Sequence, residues 1–208
     1  MKINYLFSGV NEEGFNTEQS KYLKKDIEND LTITFIASTF DDCEKNDYYV
    51  KKNLNYFKKI NIYFENYYLI DSRINELESK KYIEESDVVY LLGGSPEIQM
   101  KLIENYNLKS VLKNINGITI GVSAGAMNQS KRVVYKDEYQ DNKIFDYEGI
   151  EIADITIYPH FDINSIEYLK EILEISKLVK LYVLPNDSFI RIENKKMQII
   201  GEYYILGN

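Results

Sequence analysis

Short apolar runs alternate with longer amphipathic stretches along the first part of the chain. The apolar runs are rich in β-branched and aromatic residues, which favour strands, and the stretches between them repeat apolar residues at helical spacing. The predicted strands are Ile3–Phe7, Leu31–Ala37, Ile62–Ile70, Val88–Leu92 and Ile118–Val122. The predicted helices or helix pairs are Thr17–Glu28, Asp42–Lys59, Ile74–Glu85 and Pro96–Leu112. This alternation predicts an α/β fold, with a mostly parallel central sheet and helices on both faces.

The rhythm changes after residue 123, where further strands are predicted, some of them antiparallel. They are Arg132–Tyr135, Ile150–Tyr158, Leu181–Leu184, Phe189–Ile192 and Met197–Tyr204, with one helix, Ser165–Ile175, among them. No repeat and no Pro/Gly-rich linker interrupts the 208 residues, so we expect a single domain over residues 1–208. In an open sheet of this kind, the ligand lies beyond the carboxyl ends of the strands.

Composition and charge narrow the classes of function. The net charge is −8, and no basic stripe could neutralise phosphates, so binding to nucleic acid is not expected. Cys43 is the only cysteine, which excludes an intramolecular disulfide and a zinc site built from thiolates. No run of about 18 apolar residues is present, and the amino-terminal apolar stretch is too short for a secretory signal. We therefore expect a cytoplasmic protein that does not insert into membranes.

A Gly-X-Ser-X-Gly motif directly follows the strand Ile118–Val122. The two glycines, Gly121 and Gly125, give the backbone room for a sharp strand-to-helix turn that exposes the hydroxyl of Ser123. The backbone N–H of Ala124 is then a candidate donor to an oxyanion. The alternative is that Ser123 only caps the following helix. The strand before the motif and the small residues after it favour a nucleophile.

A second glycine turn, at residues 93–95, ends the strand Val88–Leu92 and precedes Pro96. Backbone amides at Gly94 and Ser95 could complete the oxyanion hole. The alternatives are a plain turn with Ser95 as a helix cap, or an anion site. A phosphate loop or a dinucleotide site is not expected, because the Gly-Lys-Ser/Thr sequence and a third glycine are absent.

His160 is the only histidine of the chain. A serine hydroxyl is a weak nucleophile until a base takes its proton, so a Ser-His mechanism must use this residue. His160 directly follows a predicted strand and lies downstream of the elbow, which favours a site residue over an incidental histidine.

Three motifs together resemble the peptidase E and cyanophycinase family of serine peptidases. They are Gly93-Gly94 with Gln99 downstream, Gly121-Val-Ser-Ala-Gly-Ala126 and Pro159-His160-Phe161. The resemblance implies a sandwich similar to class I glutamine amidotransferases, with serine where those enzymes hold cysteine. It also implies Ser123 as nucleophile, His160 as general base, and an oxyanion hole from the amides of the Gly93–Ser95 turn and Ala124. Gly93 and Gln99 are assigned to substrate contact. The reaction would be hydrolysis of a small peptide or amide through an acyl-enzyme, without a metal or cofactor.

The third member of the triad is left open by the sequence. The family often orients its histidine with an acid in a late Leu-Pro-Glu-like turn, whereas this chain has Asn186 at that position and Asp187 beside it. An acid between serine and histidine, Asp137 or Glu138, is the other candidate.

The resemblance leaves substrate preference and activity open as well. Peptidase E favours an N-terminal aspartate, which calls for a cation at the site, but the segment after His160 offers Lys170 and no arginine. A different small peptide is therefore an equal alternative. Two rival hypotheses are a non-catalytic binding protein of the same fold and an enzyme similar to glutamine amidotransferases. The serine at the elbow argues against the latter.

Overall fold

The computed structural model of the protein describes residues 2–137 and 143–207. Strands and helices alternate from β1 to β5, with two helices between β4 and β5. These strands are β1 (Ile3–Phe7), β2 (Leu31–Ile36), β3 (Phe64–Ile70), β4 (Val88–Leu91) and β5 (Ile118–Val122). The helices are α1 (Thr17–Asp26), α2 (Cys43–Lys59), α3 (Glu76–Glu84), α4 (Pro96–Asn105) and α5 (Lys109–Asn114).

The second part of the described chain is richer in strands. Its helices are α6 (Ala124–Gln129) and α7 (Ile166–Ile175). Its strands are β6 (Arg132–Asp137), β7 (Lys143–Glu148), β8 (Ile157–Tyr158), β9 (Leu181–Val183), β10 (Phe189–Glu193), β11 (Lys196–Ile200) and β12 (Tyr204–Leu206).

The main sheet has seven strands in the order β11-β10-β1-β5-β4-β2-β3. β1, β5, β4, β2 and β3 pair in parallel, whereas β10 and β11 extend the sheet in antiparallel fashion. Two smaller sheets, β12-β9-β8 and the hairpin β6-β7, lie outside it. The predicted α/β fold, with a mostly parallel sheet and antiparallel strands in the carboxyl-terminal part, is confirmed.

The central strands are buried on both faces, which explains their continuous apolar runs. In β4, Val88 and Tyr90 enter a core that also holds Leu23 of α1 and Phe57 of α2. Val89 and Leu91 of the same strand enter a second core with apolar residues of α3, α4 and α5. Successive side chains of a strand point to opposite faces, so one short strand supports both helical layers.

The structure corrects two sequence-based boundaries and adds one strand that was not predicted. The predicted strand 150–158 is reduced to β8, because the backbone N–H groups of Ile150, Ile152 and Ala153 instead bond to the last carbonyls of α6. The predicted strand 197–204 is divided into β11 and β12, with Gly201 between them at a φ of 91°. The hairpin partner β7 was not predicted, because its residues alternate with charges and carry little apolar signal.

The loops that matter for function leave the sheet at one edge. The parallel strands β1, β2, β4 and β5 run in the same direction, so the residues that follow them meet at their shared carboxyl ends. Among the described residues, each helix is too short or too polar to cross a bilayer.

Candidate active site

The chain makes a sharp turn at Ser123, between β5 and α6. Ser123 has φ 52° and ψ −110°, and its backbone N–H donates to the carbonyl of Phe7 at 2.9 Å. Its side chain makes no capping hydrogen bond to α6, so the capping alternative does not describe this serine. A Cβ on Gly125 would lie 2.3 Å from the Leu91 carbonyl oxygen, and a Cβ on Gly121 would lie 2.4 Å from the backbone of Gly125. Both glycines are therefore needed for α6 to pack this close to β4 and β5.

The imidazole of His160 faces the hydroxyl of Ser123, with Nε2 2.7 Å from Oγ. His160 has a φ of 59°, which is rare for a residue with a side chain. Its backbone N–H donates to the Ser8 hydroxyl at 2.7 Å, and this hydroxyl in turn donates to the Leu184 carbonyl at 2.8 Å. Ser8 is fully buried directly after β1 and holds the histidine loop in place. Ser8 was not predicted from the sequence, although its position directly after a predicted parallel strand was a usable signal.

The other ring nitrogen of His160 meets Asn186. Nδ1 lies 2.5 Å from the side-chain oxygen of Asn186, which can only accept a hydrogen bond. Nδ1 therefore carries the proton, and Nε2 is left free to accept the hydrogen of the Ser123 hydroxyl. A Cβ on Gly9 would lie 2.9 Å from this Asn186 oxygen, so the absence of a side chain at residue 9 makes room for the contact.

Asp187 and Asp137, the other described candidates for the third position, have neighbours other than His160. The carboxylate of Asp187 accepts a hydrogen bond from Asn11 at 3.1 Å and is not the group that meets His160, so this alternative is corrected. Asp137 is the last residue of β6 and is paired in register with Lys143 of β7. Glu138 lies outside the described residues. The structure thus brings Asn186 to the histidine.

The turn at residues 93–95 borders the nucleophile. A Cβ on Gly93 would lie 3.7 Å from Cβ of Ser123. Gly94 has a φ of 141°, a conformation that favours glycine. The side chain of Ser95 caps α4 by accepting a hydrogen bond from the Ile98 N–H at 3.3 Å, as the capping alternative predicted. Oxyanion roles for the Gly94 and Ser95 amides remain predictions.

The assignment of Gln99 to substrate contact is corrected by its burial, because the residue has no exposed surface. Its side-chain nitrogen donates to the carbonyls of Ile36 (3.2 Å), Ala37 (3.4 Å) and Leu92 (3.0 Å). Its side-chain oxygen accepts from Asn128 at 3.1 Å. Gln99 therefore ties the ends of β2 and β4 to α4 and α6, beneath the glycine turn.

A cavity of about 240 Å³ opens beside the glycine turn and Val122. One face of α2 lines it with side chains at helical spacing: Lys45, Tyr49, Lys52, Asn53 and Tyr56. Within residues 2–137 and 143–207, neither lysine has an ion-pair partner. Lys52 Nζ lies 5.8 Å from the centre of the Tyr56 ring, and the neighbouring Tyr56 raises the pKa of Lys52 above its usual value. Lysine is charged at neutral pH in any case. The cavity therefore offers positive charge to a ligand.

These lysines were not predicted from the sequence, because a cation was expected close to His160 along the chain. The signal was the periodic stripe on the predicted helix Asp42–Lys59, which places the two lysines on one face. Only the packing of α2 against the sheet brings that face beside the residue before Ser123.

The fold and the Ser123–His160 pair define an α/β protein that carries a serine at a strand-to-helix elbow. The chain belongs to Peptidase family S51, whose sequence profile matches residues 5–200. A curated relative is "Peptidase E" of Haemophilus influenzae (strain PittGG), 24% identical over 141 residues. This match spans 62% of the present chain and 60% of the length of the relative.

Two solved structures share the fold. One, from Listeria monocytogenes EGD-e, is provisionally described as peptidase E; its TM-score is 0.72 at 19% identity, covering 96% of this chain and 98% of that chain. The other is a peptidase from an acI-B1 Actinobacterium, with a TM-score of 0.72 at 17% identity, covering 100% of this chain and 91% of that chain. These likenesses support the fold class that the sheet order defines.

Proposed function

We propose that this protein is a serine hydrolase that cleaves small peptides, dipeptides among them, through an acyl-enzyme. The observation that carries the proposal is the unbroken chain of contacts from the Ser123 hydroxyl through His160 to Asn186, at 2.7 and 2.5 Å. Membership of a peptidase family supports the same class of reaction. A cytoplasmic location remains part of this proposal.

The geometry supports a defined path for the proton. Ser123 Oγ attacks the substrate carbonyl while Nε2 of His160 takes the hydroxyl proton, and the Asn186 oxygen stabilises the resulting imidazolium through Nδ1–H. The backbone N–H groups of Ala124 and Gly94 would donate to the oxyanion, with the Ser95 amide as a further candidate. His160 then returns the proton to the leaving amine, so the C–N bond breaks and the acyl-enzyme remains. A water molecule, activated by the same nitrogen, hydrolyses the ester and regenerates Ser123.

The cavity supports a preference for substrates that carry a carboxylate. Lys45 and Lys52 are two cations without carboxylate partners among the described residues, beside the glycine turn. An acidic side chain on the acyl portion of the substrate would pair with them through charge-assisted hydrogen bonds, which are stronger than hydrogen bonds between neutral groups. These lysines supply the cation that the segment after His160 lacks.

The first test is covalent labelling with a fluorophosphonate, followed by peptide mapping of the labelled site. We expect labelling of Ser123 in the wild type and none in Ser123→Ala, whose circular dichroism should match the wild type. His160→Ala should slow labelling and turnover by on the order of 10³-fold. A folded wild type that resists labelling would favour the alternative of a non-catalytic binding protein.

A further inference from the structure

The carbonyl of Gly93 is held by a side chain from the neighbouring strand end. Ser38 follows β2, and its hydroxyl donates to the Gly93 carbonyl oxygen at 2.5 Å. Ser38 is only 6% exposed, so water competes poorly for this bond. A side chain far away in sequence thereby fixes one peptide plane of the glycine turn.

The order of strands in the sheet determines the direction in which the N–H of Gly94 points when the Gly93 carbonyl is bonded to Ser38. β4 lies between β2 and β5 in the sheet; Ser38 follows β2 and Ser123 follows β5. In a trans peptide the C=O and the following N–H point in opposite directions. The Gly93–Gly94 bond is trans, and its carbonyl points to the β2 side. The N–H of Gly94 therefore points to the β5 side, where Ser123 lies.

A glycine pair does not fix this orientation by itself. Glycine populates both positive and negative φ, so the peptide between Gly93 and Gly94 can adopt either orientation at small cost. Gln99 holds the preceding carbonyl, that of Leu92, and leaves the Gly93 carbonyl to another donor. A Cβ on Gly94 would lie 2.2 Å from Oγ of Ser38, so the close approach of this hydroxyl also requires glycine at residue 94.

We propose that Ser38 is a positioning residue of the oxyanion hole. By holding the Gly93 carbonyl, it aims the Gly94 N–H at the oxygen that gains charge when Ser123 attacks. The inference rests on the proposed serine hydrolase function. An N–H fixed before the reaction begins stabilises the oxyanion without reorganisation, which is the main advantage of such a site.

The test compares Ser38→Ala with Ser79→Ala. Ser79 is a matched control, because it is a fully buried serine that donates to a backbone carbonyl, that of Asn75, at 2.8 Å in α3. In Ser38→Ala we expect kcat and the rate constant of fluorophosphonate labelling to fall together by about 10- to 100-fold. KM should stay within about twofold, because Ser38 borders the cavity but its hydroxyl is bonded to Gly93 and only 6% of the residue is exposed. The pH dependence of kcat should keep its midpoint, because His160 keeps its contacts with Ser123 and Asn186. Ser79→Ala should keep both wild-type rates.

A wild-type kcat in Ser38→Ala, with or without a rise in KM, would overturn the proposal. Should Ser38→Ala fold poorly, Ser38→Thr retains the hydroxyl donor and should keep a labelling rate near that of the wild type; a rate reduced as far as 10-fold would contradict the inference. Failure of the proposed function has a different signature, since the wild type itself would then resist labelling.

Discussion

The backbone N–H of His160 donates to the hydroxyl of Ser8 at 2.7 Å, although the two residues lie 152 positions apart in the sequence. The same hydroxyl donates to the carbonyl of Leu184, two residues before Asn186. One buried serine after β1 therefore connects the loop of the histidine with the loop of its partner. A histidine at positive φ costs of order 1–3 kcal/mol, and such hydrogen bonds keep it in place.

We expect Ser8→Ala to lower kcat by about 10-fold, because the His160 loop loses the acceptor that holds its backbone. The free energy of unfolding should fall by about 1 kcal/mol, since the partly buried N–H of His160 loses its acceptor. Turnover and urea denaturation measure the two effects. Ser79→Ala is the control for loss of a buried serine hydroxyl, and a wild-type kcat in Ser8→Ala would refute the role of Ser8.

Asn186 and Asp187 form an internal comparison. Asn186→Ala removes the oxygen that fixes the His160 tautomer, so kcat should fall by about 10- to 100-fold. Asp187→Ala should leave kcat near the wild-type value, because its carboxylate faces Asn11. Steady-state kinetics on both variants measure the two effects. A larger loss of kcat in Asp187→Ala than in Asn186→Ala would make Asp187 the third member of the triad.

The contact between His160 and Asn186 can also be tested by placing a negative charge at residue 186. Asn186→Asp places a carboxylate beside Nδ1, which stabilises the imidazolium formed when Ser123 loses its proton. We expect the acid limb of the profile of kcat against pH to move to higher pH, and the corresponding Asp187→Asn change should leave it in place. If the acid limb of the profile does not move in Asn186→Asp, residue 186 does not act on the proton that His160 carries.

Recognition of a substrate carboxylate can be tested at Lys52, in the cavity beside the glycine turn. Lys52→Met should raise KM for a dipeptide with an acidic residue on the acyl side by about 10-fold, as expected for loss of a hydrogen bond to a charged group. A neutral dipeptide of the same length should keep its kcat/KM. Lys51→Met is the matched control, because Lys51 is an exposed residue of α2 that does not line the cavity. Equal losses on both peptides would rule out recognition of the carboxylate by Lys52.

The hairpin β6-β7 carries a pH-dependent contribution to stability. Arg132 hydrogen-bonds both carboxylate oxygens of Asp146, at 2.8 and 2.6 Å, and lowers the pKa of that carboxyl. A carboxyl whose folded pKa is lowered stabilises the fold above its unfolded pKa of about 3.9, and this contribution is lost as the pH falls through the folded value.

Asp146→Asn should therefore be less stable than the wild type at pH 7, and the difference should vanish near pH 2. The side chains are about 40% exposed, so the effect at pH 7 should stay below about 1 kcal/mol. Urea denaturation at both pH values provides the measurement. Asp154→Asn serves as control, because Asp154 is 89% exposed and lies 3.6 Å from its partner Lys131. A difference that persisted at pH 2 would point to packing instead of charge.

The local sequence pattern was sufficient to predict the strands of the parallel sheet, the helices between them and the two glycine turns. Apolar runs buried on both faces are distinctive, and a serine or glycine placed directly after such a run marks the carboxyl end of a parallel strand. This reasoning predicted the elbow at Ser123 and singled out His160 as a candidate site residue. Boundaries were predicted less well where hydrogen bonds come from other segments, as at residues 150–153, whose N–H groups bond to carbonyls at the end of α6 and of Ser130.

The sequence by itself determined the fold class, the serine, its candidate base and the family resemblance, because each depends on residues that are close in the chain. Only the tertiary structure showed that Asn186, and not Asp187, contacts His160. It placed Ser8 against the His160 loop and Ser38 against Gly93, and it buried Gln99 in the interior. It also placed the lysine face of α2 beside the glycine turn. These decisions depend on the order and direction of strands and on which way adjacent side chains point. Long-range packing sets both, and neighbouring residues such as Asn186 and Asp187 are not distinguished by local sequence.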